Sequence, residues 1–245
     1  MKKIYIAILS LLFLIATAVV LFLAFNDEKD TGSVVEMPFS DTVETVTEKD
    51  LPVCTASMED TLFIGDSRSV GLDKYADLDE ADFFAVVGMT VFQLPEAVVN
   101  IEGLGDVHLT QLLDSRRYGK VYITLGVNEA GFPLNRIIDE YGKLIDTVKE
   151  KQPYALIFVQ ANLLVTQAFS EKSEYIKNDA VVNINNALSA FADNEKIFFI
   201  DANEIFGDGN GYLSPDCTSD GIHLFADDYR AWGEWIKQQT AIIIQ

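Results

Sequence analysis

From Thr61 to the C terminus, short apolar runs alternate with stretches of helical periodicity, and this alternation constrains the fold more than any other feature. The runs are Thr61–Gly65, Phe83–Val87, Lys120–Leu125, Tyr154–Gln160 and Lys196–Asp201. Between and after them, helical patterns are expected over Ser67–Tyr75, Phe92–Val99, His108–Arg116, Leu134–Lys151, Ser173–Ala192 and Ala226–Ile244, with a glycine-rich loop at Gly207–Pro215. Parallel strands need long crossovers, and helical crossovers cover the sheet. Five such runs therefore predict an α/β domain: one five-stranded parallel sheet between two helical layers. In sheets of this kind ligands bind beyond the carboxyl ends of the strands.

The first 58 residues read differently. Lys2 and Lys3 precede an uncharged stretch, Ile4–Phe25, and Asp27, Glu28 and Asp30 follow it. A helix over that stretch is about 33 Å long, against a hydrocarbon core of roughly 30 Å. The charge asymmetry places the short N terminus in the cytoplasm and the rest of the chain outside. Residues 1–25 are thus expected to form a single-pass anchor in the cytoplasmic membrane. Ala16-Thr17-Ala18 leaves a cleaved signal peptide as the competing reading. Residues 26–58 are rich in Asp, Glu, Thr, Ser and Val without a clean period, and are expected to form an acidic, flexible stalk. The domain then spans 59–245.

Eighteen basic and 38 acidic residues give a net charge of -20. So acidic a surface disfavours nucleic acid as a partner. The two cysteines, Cys54 and Cys217, form no CxxC pair, so no structural zinc site is expected, while one disulfide between them stays open on an exported chain. Asp208, Asn210 and Asp216 lack the loop pattern that calcium requires, with Tyr212 and Leu213 where an acidic residue and a glycine belong. No nucleotide-binding glycine fingerprint is present. Neither metal nor cofactor is expected.

Four strand ends carry the residues that matter chemically. Gly65-Asp66-Ser67-Arg68-Ser69 follows the first strand, Gly88 the second, Gly126-Val127-Asn128-Glu129 the third, and Asp220-Gly221-Ile222-His223 the loop after the fifth. A parallel sheet gathers all four at one edge. A serine hydroxyl becomes a useful nucleophile when a neighbouring imidazole takes its proton, and a carboxylate fixes that imidazole's tautomer. Ser67, His223 and Asp220 supply these three groups. N–H donors must face the developing oxyanion. Ser67 opens a helix, so its own N–H has no intrahelical acceptor; Gly88 has no side chain in the way; Asn128 offers an amide. Arg68 and Glu129 stand beside these groups and are candidates for substrate contact, with loop and structural roles as the competing readings. His108, ahead of a helix, matches none of this chemistry. Phe225, Tyr229, Trp232 and Ile236 recur at helical spacing as a core stripe.

In their order and spacing these blocks resemble the SGNH (GDSL-type) hydrolase family. Phe63-Ile64-Gly65-Asp66-Ser67 resembles its first block, Gly88 the glycine of its second, Gly126-Val127-Asn128-Glu129 its third, and Ser219-Asp220-Gly221-Ile222-His223-Leu224 its last. Glu129 stands where the family often has Asp. The resemblance covers roughly Thr61 to the C terminus. It implies a three-layer α/β/α sandwich of the flavodoxin-like kind. It also implies Ser67 as nucleophile, His223 as base, Asp220 as its orienting acid, and Ser67, Gly88 and Asn128 as the oxyanion hole. The activity it implies is ester or thioester hydrolysis through an acyl-serine. An α/β-hydrolase elbow needs a second glycine, and Ser69 occupies that position. Combined with the expected anchor, the reading is an extracytoplasmic serine esterase acting on a small-molecule or glycan ester, acetylated envelope carbohydrate among them. The alternatives are an O-acyltransferase working with a membrane partner and a noncatalytic tethered binding domain.

Overall fold

The structure, a computed structural model, describes residues 57–244; the expected anchor and all but the end of the expected stalk lie outside them. Five parallel strands form the central sheet: β1 (Thr61–Gly65), β2 (Asp82–Ala85), β5 (Lys120–Thr124), β6 (Leu156–Gln160) and β7 (Ile197–Ile200), in the spatial order β2-β1-β5-β6-β7. The helices are α1 (Ser67–Tyr75), α2 (Leu109–Ser115), α3 (Leu134–Lys151), α4 (Gln167–Lys172), α5 (Asn178–Ser189), α6 (Asn203–Phe206) and α7 (Ala226–Ile243). The three-layer α/β/α architecture expected from the alternation is present. Among the described residues no helix is long and apolar enough to cross a membrane.

Alternation along the strands sorts two cores. Leu62, Ile64, Val121, Ile123, Ile157 and Val159 face one side and pack with Leu112, Ile137, Tyr141, Val148, Ile184 and Leu188 from α2, α3 and α5. Phe63, Tyr122 and Phe158 face the other side, with Leu72 of α1 and Tyr229, Trp232 and Ile236 of α7. The stripe read from the sequence thus holds for Tyr229, Trp232 and Ile236, whereas Phe225 is exposed at the helix start. On this second face the register aligns one aromatic from each strand: Phe83, Phe63, Tyr122, Phe158 and Phe198. Their ring centroids are 4.7, 4.7, 4.5 and 5.6 Å apart in that order. Such stacking adds to the burial of each ring and pins the strand register, since a one-residue slip would send every ring to the opposite face.

Two expectations about local structure are corrected. The stretch 92–99 is not a helix: after a short 3-10 turn at Leu94–Glu96, Val98–Ile101 (β3) pairs antiparallel with Gly105–His108 (β4). The β-branched pair Val98-Val99 favours extended backbone, and Gly103 and Gly105 take the positive φ values, +78° and +75°, that reverse the chain. The helix expected over 173–192 is broken. Its useful part begins at Asn178, whose buried amide accepts from the Val165 N–H at 2.9 Å and donates to the Val165 carbonyl at 2.7 Å. That tie to the segment after β6 overrides helical periodicity upstream.

Candidate active site

β1 is buried along its whole length, and the chain leaves it through Gly65 and Asp66 into α1. Asp66, not Ser67, is the N-cap: its carboxylate accepts from the Arg68 N–H at 2.9 Å. Ser67 is therefore the first residue inside the helix, half-buried, with its N–H among those the helix cannot pair. Its Oγ lies 2.8 Å from Nε2 of His223, 156 residues away in sequence. His223 Nδ1 lies 2.7 Å from Asp220 Oδ2.

The loop that carries His223 is built around Asp220. Its Oδ1 accepts from the amides of Ile222 at 2.9 Å and His223 at 2.8 Å, and from the Thr218 hydroxyl at 3.2 Å. Burial raises the Asp220 pKa, but these amide bonds and the contact with the imidazole outweigh it and hold the carboxyl well below the usual range. An ionised Asp220 accepts a hydrogen bond from the Nδ1–H, which fixes the proton on that nitrogen and leaves Nε2 as the acceptor for the serine O–H. Gly221 takes φ +87° here, and a Cβ at that position would sit 2.6 Å from Thr166 Oγ1. Thr218, which also accepts from the Gly221 N–H at 3.0 Å, escapes a reading of the sequence. Only the spacing T-x-D hints at it.

Gly88 follows β2, exposed and at φ +77°, with open space where a Cβ would stand. It forms part of a groove of about 510 Å³ walled by Val86, Val87, Met89, Phe92 and Val98. Asn128 follows β5, and its Nδ2 donates to the Met89 carbonyl at 3.0 Å and to Asp66 Oδ2 at 3.3 Å. Strand order explains the convergence: β2, β1 and β5 are adjacent, so the ends bearing Gly88, Ser67 and Asn128 are neighbours. On the far side, a cleft of about 870 Å³ opens beside Asp220 and Gly221, lined by Thr166, Phe169, Lys172, Asp208 and Ser219 among others.

The two candidates for substrate contact are both enclosed. Arg68 is 1% exposed. Its guanidinium donates to the carbonyls of Leu163 at 2.6 Å, Ile222 at 3.2 Å and Leu164 at 3.3 Å, tying α1 to the segment after β6 and to the histidine loop. The charge is spent on backbone, so Arg68 does not present itself to a ligand; burial lowers its pKa and Asp66 opposes that shift. Glu129 is fully buried, with Oε1 accepting from the Val91 N–H at 2.6 Å. Burial pushes its carboxyl up to about 7, helped by the nearby Asp66. Asp66 is itself raised by burial, against the pull of Arg68. Cys217 is a free thiol among the described residues, and Cys54, with which a disulfide stays open, lies outside them. His108 serves its helix, with its N–H donating to Gln111 Oε1 at 2.9 Å.

A comparison with curated proteins finds no match. Solved structures share the fold. A GDSL-like lipase from Bacteroides thetaiotaomicron superimposes with a TM-score of 0.57 at 16% identity, over 77% of this chain and 91% of that one. A carbohydrate acetylesterase from Sinorhizobium meliloti gives 0.51 at 18%, over 75% and 98%. The profile of the GDSL-like Lipase/Acylhydrolase family matches residues 63–231, a segment that begins in β1 and ends within α7. The chain therefore belongs to the GDSL-like lipase/acylhydrolase family, the SGNH/GDSL hydrolases, and is a hydrolytic enzyme.

Proposed function

We propose that the protein is a serine esterase that cleaves carboxylic esters through an acyl-Ser67 intermediate, with His223 as the base and Asp220 as the group that orients it. The observation that carries this reading is the unbroken chain Asp220 Oδ2–His223 Nδ1 at 2.7 Å and His223 Nε2–Ser67 Oγ at 2.8 Å. His223 takes the hydroxyl proton as Oγ attacks the ester carbonyl carbon, and the imidazolium is stabilised by ionised Asp220. The carbonyl oxygen gains negative charge and is met by the N–H groups of Ser67 and Gly88. The Asn128 amide joins them by giving up its longer bond, the one to Asp66. His223 then protonates the leaving alkoxide. In the second half a water, deprotonated by His223, attacks the acyl-serine, and the acid departs with Ser67 Oγ reprotonated.

Because His223 protonates the leaving oxygen, the alcohol part of the ester lies on the histidine side. The 870 Å³ cleft flanks that side, with Lys172, Asp208, Thr166 and Ser219 in its wall. Phe169, Leu213 and Pro215 line it too, and this mixture of apolar wall and hydrogen-bonding groups can receive both the ring faces and the hydroxyls of a sugar. The fold likeness to a carbohydrate acetylesterase agrees with the same choice. With residues 1–25 as a cytoplasmic-membrane anchor and 26–58 as a stalk, the domain works outside the cell, where acetylated envelope carbohydrate is within reach.

The test is turnover of a chromogenic acetyl ester and of an O-acetylated polysaccharide. Ser67→Ala is expected to lower kcat by roughly 10³-fold or more on both, given the large loss that follows removal of a nucleophile. Wild-type turnover in the folded variant overturns the nucleophile assignment. Activity on the chromogenic ester with none on the polysaccharide overturns the substrate class alone.

A further inference from the structure

Glu129 performs no chemistry in the scheme above, yet its carboxyl is fully buried beneath the segment that carries Gly88. One oxygen accepts from the Val91 N–H at 2.6 Å. The other, Oε2, is buried and has no hydrogen-bond partner among the described residues. Leaving such an atom unpaired is unfavourable, and apolar residues fill the same kind of space without that cost. A second tether runs in parallel: its neighbour Asn128 donates to the Met89 carbonyl at 3.0 Å. Two adjacent side chains from the end of β5 therefore grip Met89 and Val91, on the C-terminal side of Gly88. On the N-terminal side, the Val86 N–H donates to the Gly65 carbonyl at 3.2 Å. Gly88 itself sits at positive φ in a turn closed by the Met89 N–H donating to the Val86 carbonyl at 3.0 Å, so its orientation follows from where the two ends of that turn are held.

We propose that Glu129 is a positioning residue for the oxyanion hole: its Oε1, by holding the Val91 amide, fixes the 86–91 segment so that the Gly88 N–H points at the oxygen that becomes charged. The inference rests on the esterase reading above. Reach is the property that matters. Aspartate at this position is shorter by one methylene, about 1.5 Å, which removes an acceptor that sits 2.6 Å from its donor. Glutamine keeps both the length and the acceptor. The charged and titratable groups around the carboxyl are Asp66 from the β1–α1 turn and Tyr141 from α3. Behind Asp66 stand Arg68 and His223.

The experiment compares wild type, Glu129→Gln, Glu129→Asp and Glu129→Ala on a chromogenic acetyl ester, with kcat expressed per fluorophosphonate-titrated site so that unfolded protein is not counted. Glu129→Gln is expected within about threefold of wild type. For Glu129→Asp and Glu129→Ala, kcat is expected to fall by about 10-fold or more while KM stays within about twofold, because a misplaced oxyanion donor weakens the transition state and not the ground state. If Glu129→Ala does not fold, the Gln and Asp pair still decides. An active Asp variant beside an inactive Gln variant shows that charge and not reach is at work, and overturns the proposal, as does wild-type turnover in either shortened variant. A wild-type protein that turns over no ester in any series overturns the esterase reading instead.

Discussion

At Arg68 the sequence position suggests a ligand contact and the surroundings rule it out. A guanidinium that donates to three backbone carbonyls on two separate segments acts as a joint between α1 and the loops after β6 and β7. It also lies beside a buried Asp66, whose carboxylate it stabilises. Removing it leaves buried carbonyls unpaired and takes a positive charge from near Asp66, and an unsatisfied buried polar group costs about 1–3 kcal/mol. Arg68→Met is expected to lose that amount in urea denaturation, with no activity surviving the transition. A stability within about 0.5 kcal/mol of wild type would show that the carbonyls find water instead. Ser67 gains from the same arrangement. Asp66 takes the capping duty that a serine often performs, and Ser67 is left one place further on, with hydroxyl and N–H both available.

The proposed triad depends on the loop 217–224, closed on itself by the Phe225 N–H to Cys217 carbonyl bond at 2.9 Å and by a bridge pairing Thr218 with Leu224. Within it, Gly221 adopts a left-handed backbone and its Cα faces Thr166 and Phe169. A methyl there would come within 2.6 Å of Thr166 Oγ1 and 2.8 Å of Phe169 Cβ. Gly221→Ala therefore meets both a backbone penalty of roughly 1 kcal/mol or more and a steric one. The loop must shift, and His223 with it. Turnover is expected to drop by about 10-fold or more, together with a lower melting temperature. By contrast Gly209→Ala, in the glycine-rich loop with open space around it, is expected to change melting alone and leave turnover untouched. Equal turnover in the two variants would mean that the histidine loop tolerates displacement. The same dependence on positive-φ glycines shapes the antiparallel β3–β4 pair, which extends from the segment that carries Gly88 and the groove.

For the whole molecule, buried acids set how stability depends on pH. Glu129 has its carboxyl pushed up to about 7, from an ordinary value of 4.5. The folded state keeps a proton that the unfolded chain releases, so stability is highest below about pH 4.5, falls as pH rises towards 7, and is flat beyond. Asp66, also raised, works in the same direction. Asp220 is lowered and works in the opposite one: its contribution is present above the ordinary carboxylate value and disappears only as pH drops below it. Between about pH 4.5 and 7 the net expectation is declining stability. Glu129→Gln flattens that decline, which is about 3 kcal/mol for a shift of this size. Melting temperatures measured at steps across that range check this, and parallel curves for the two proteins would show that Glu129 is ionised throughout.

Much of this architecture is legible in the sequence. Strand positions follow from apolar runs bounded by glycine, and the convergence of Ser67, Gly88, Asn128 and His223 follows from the rule that parallel strands present their carboxyl ends together. Local pattern misleads where it has two solutions. The stretch 92–99 has a helical pattern, yet the paired glycines that follow turn its end into a strand. Residues 173–177 have helical spacing, yet Asn178 is claimed by the segment after β6. By itself, then, the sequence determines the layers, the sheet and the residue types gathered at its edge, because periodicity and chain connectivity are properties of the chain alone. Which of those residues face solvent is decided only by tertiary structure. Ser67 and Arg68 are neighbours, yet one hydroxyl meets His223 while the guanidinium is enclosed. Asn128 and Glu129 are neighbours too, and the carboxyl ends beneath Val91. Burial depends on which distant segments pack overhead, and that information is spread across the whole polypeptide.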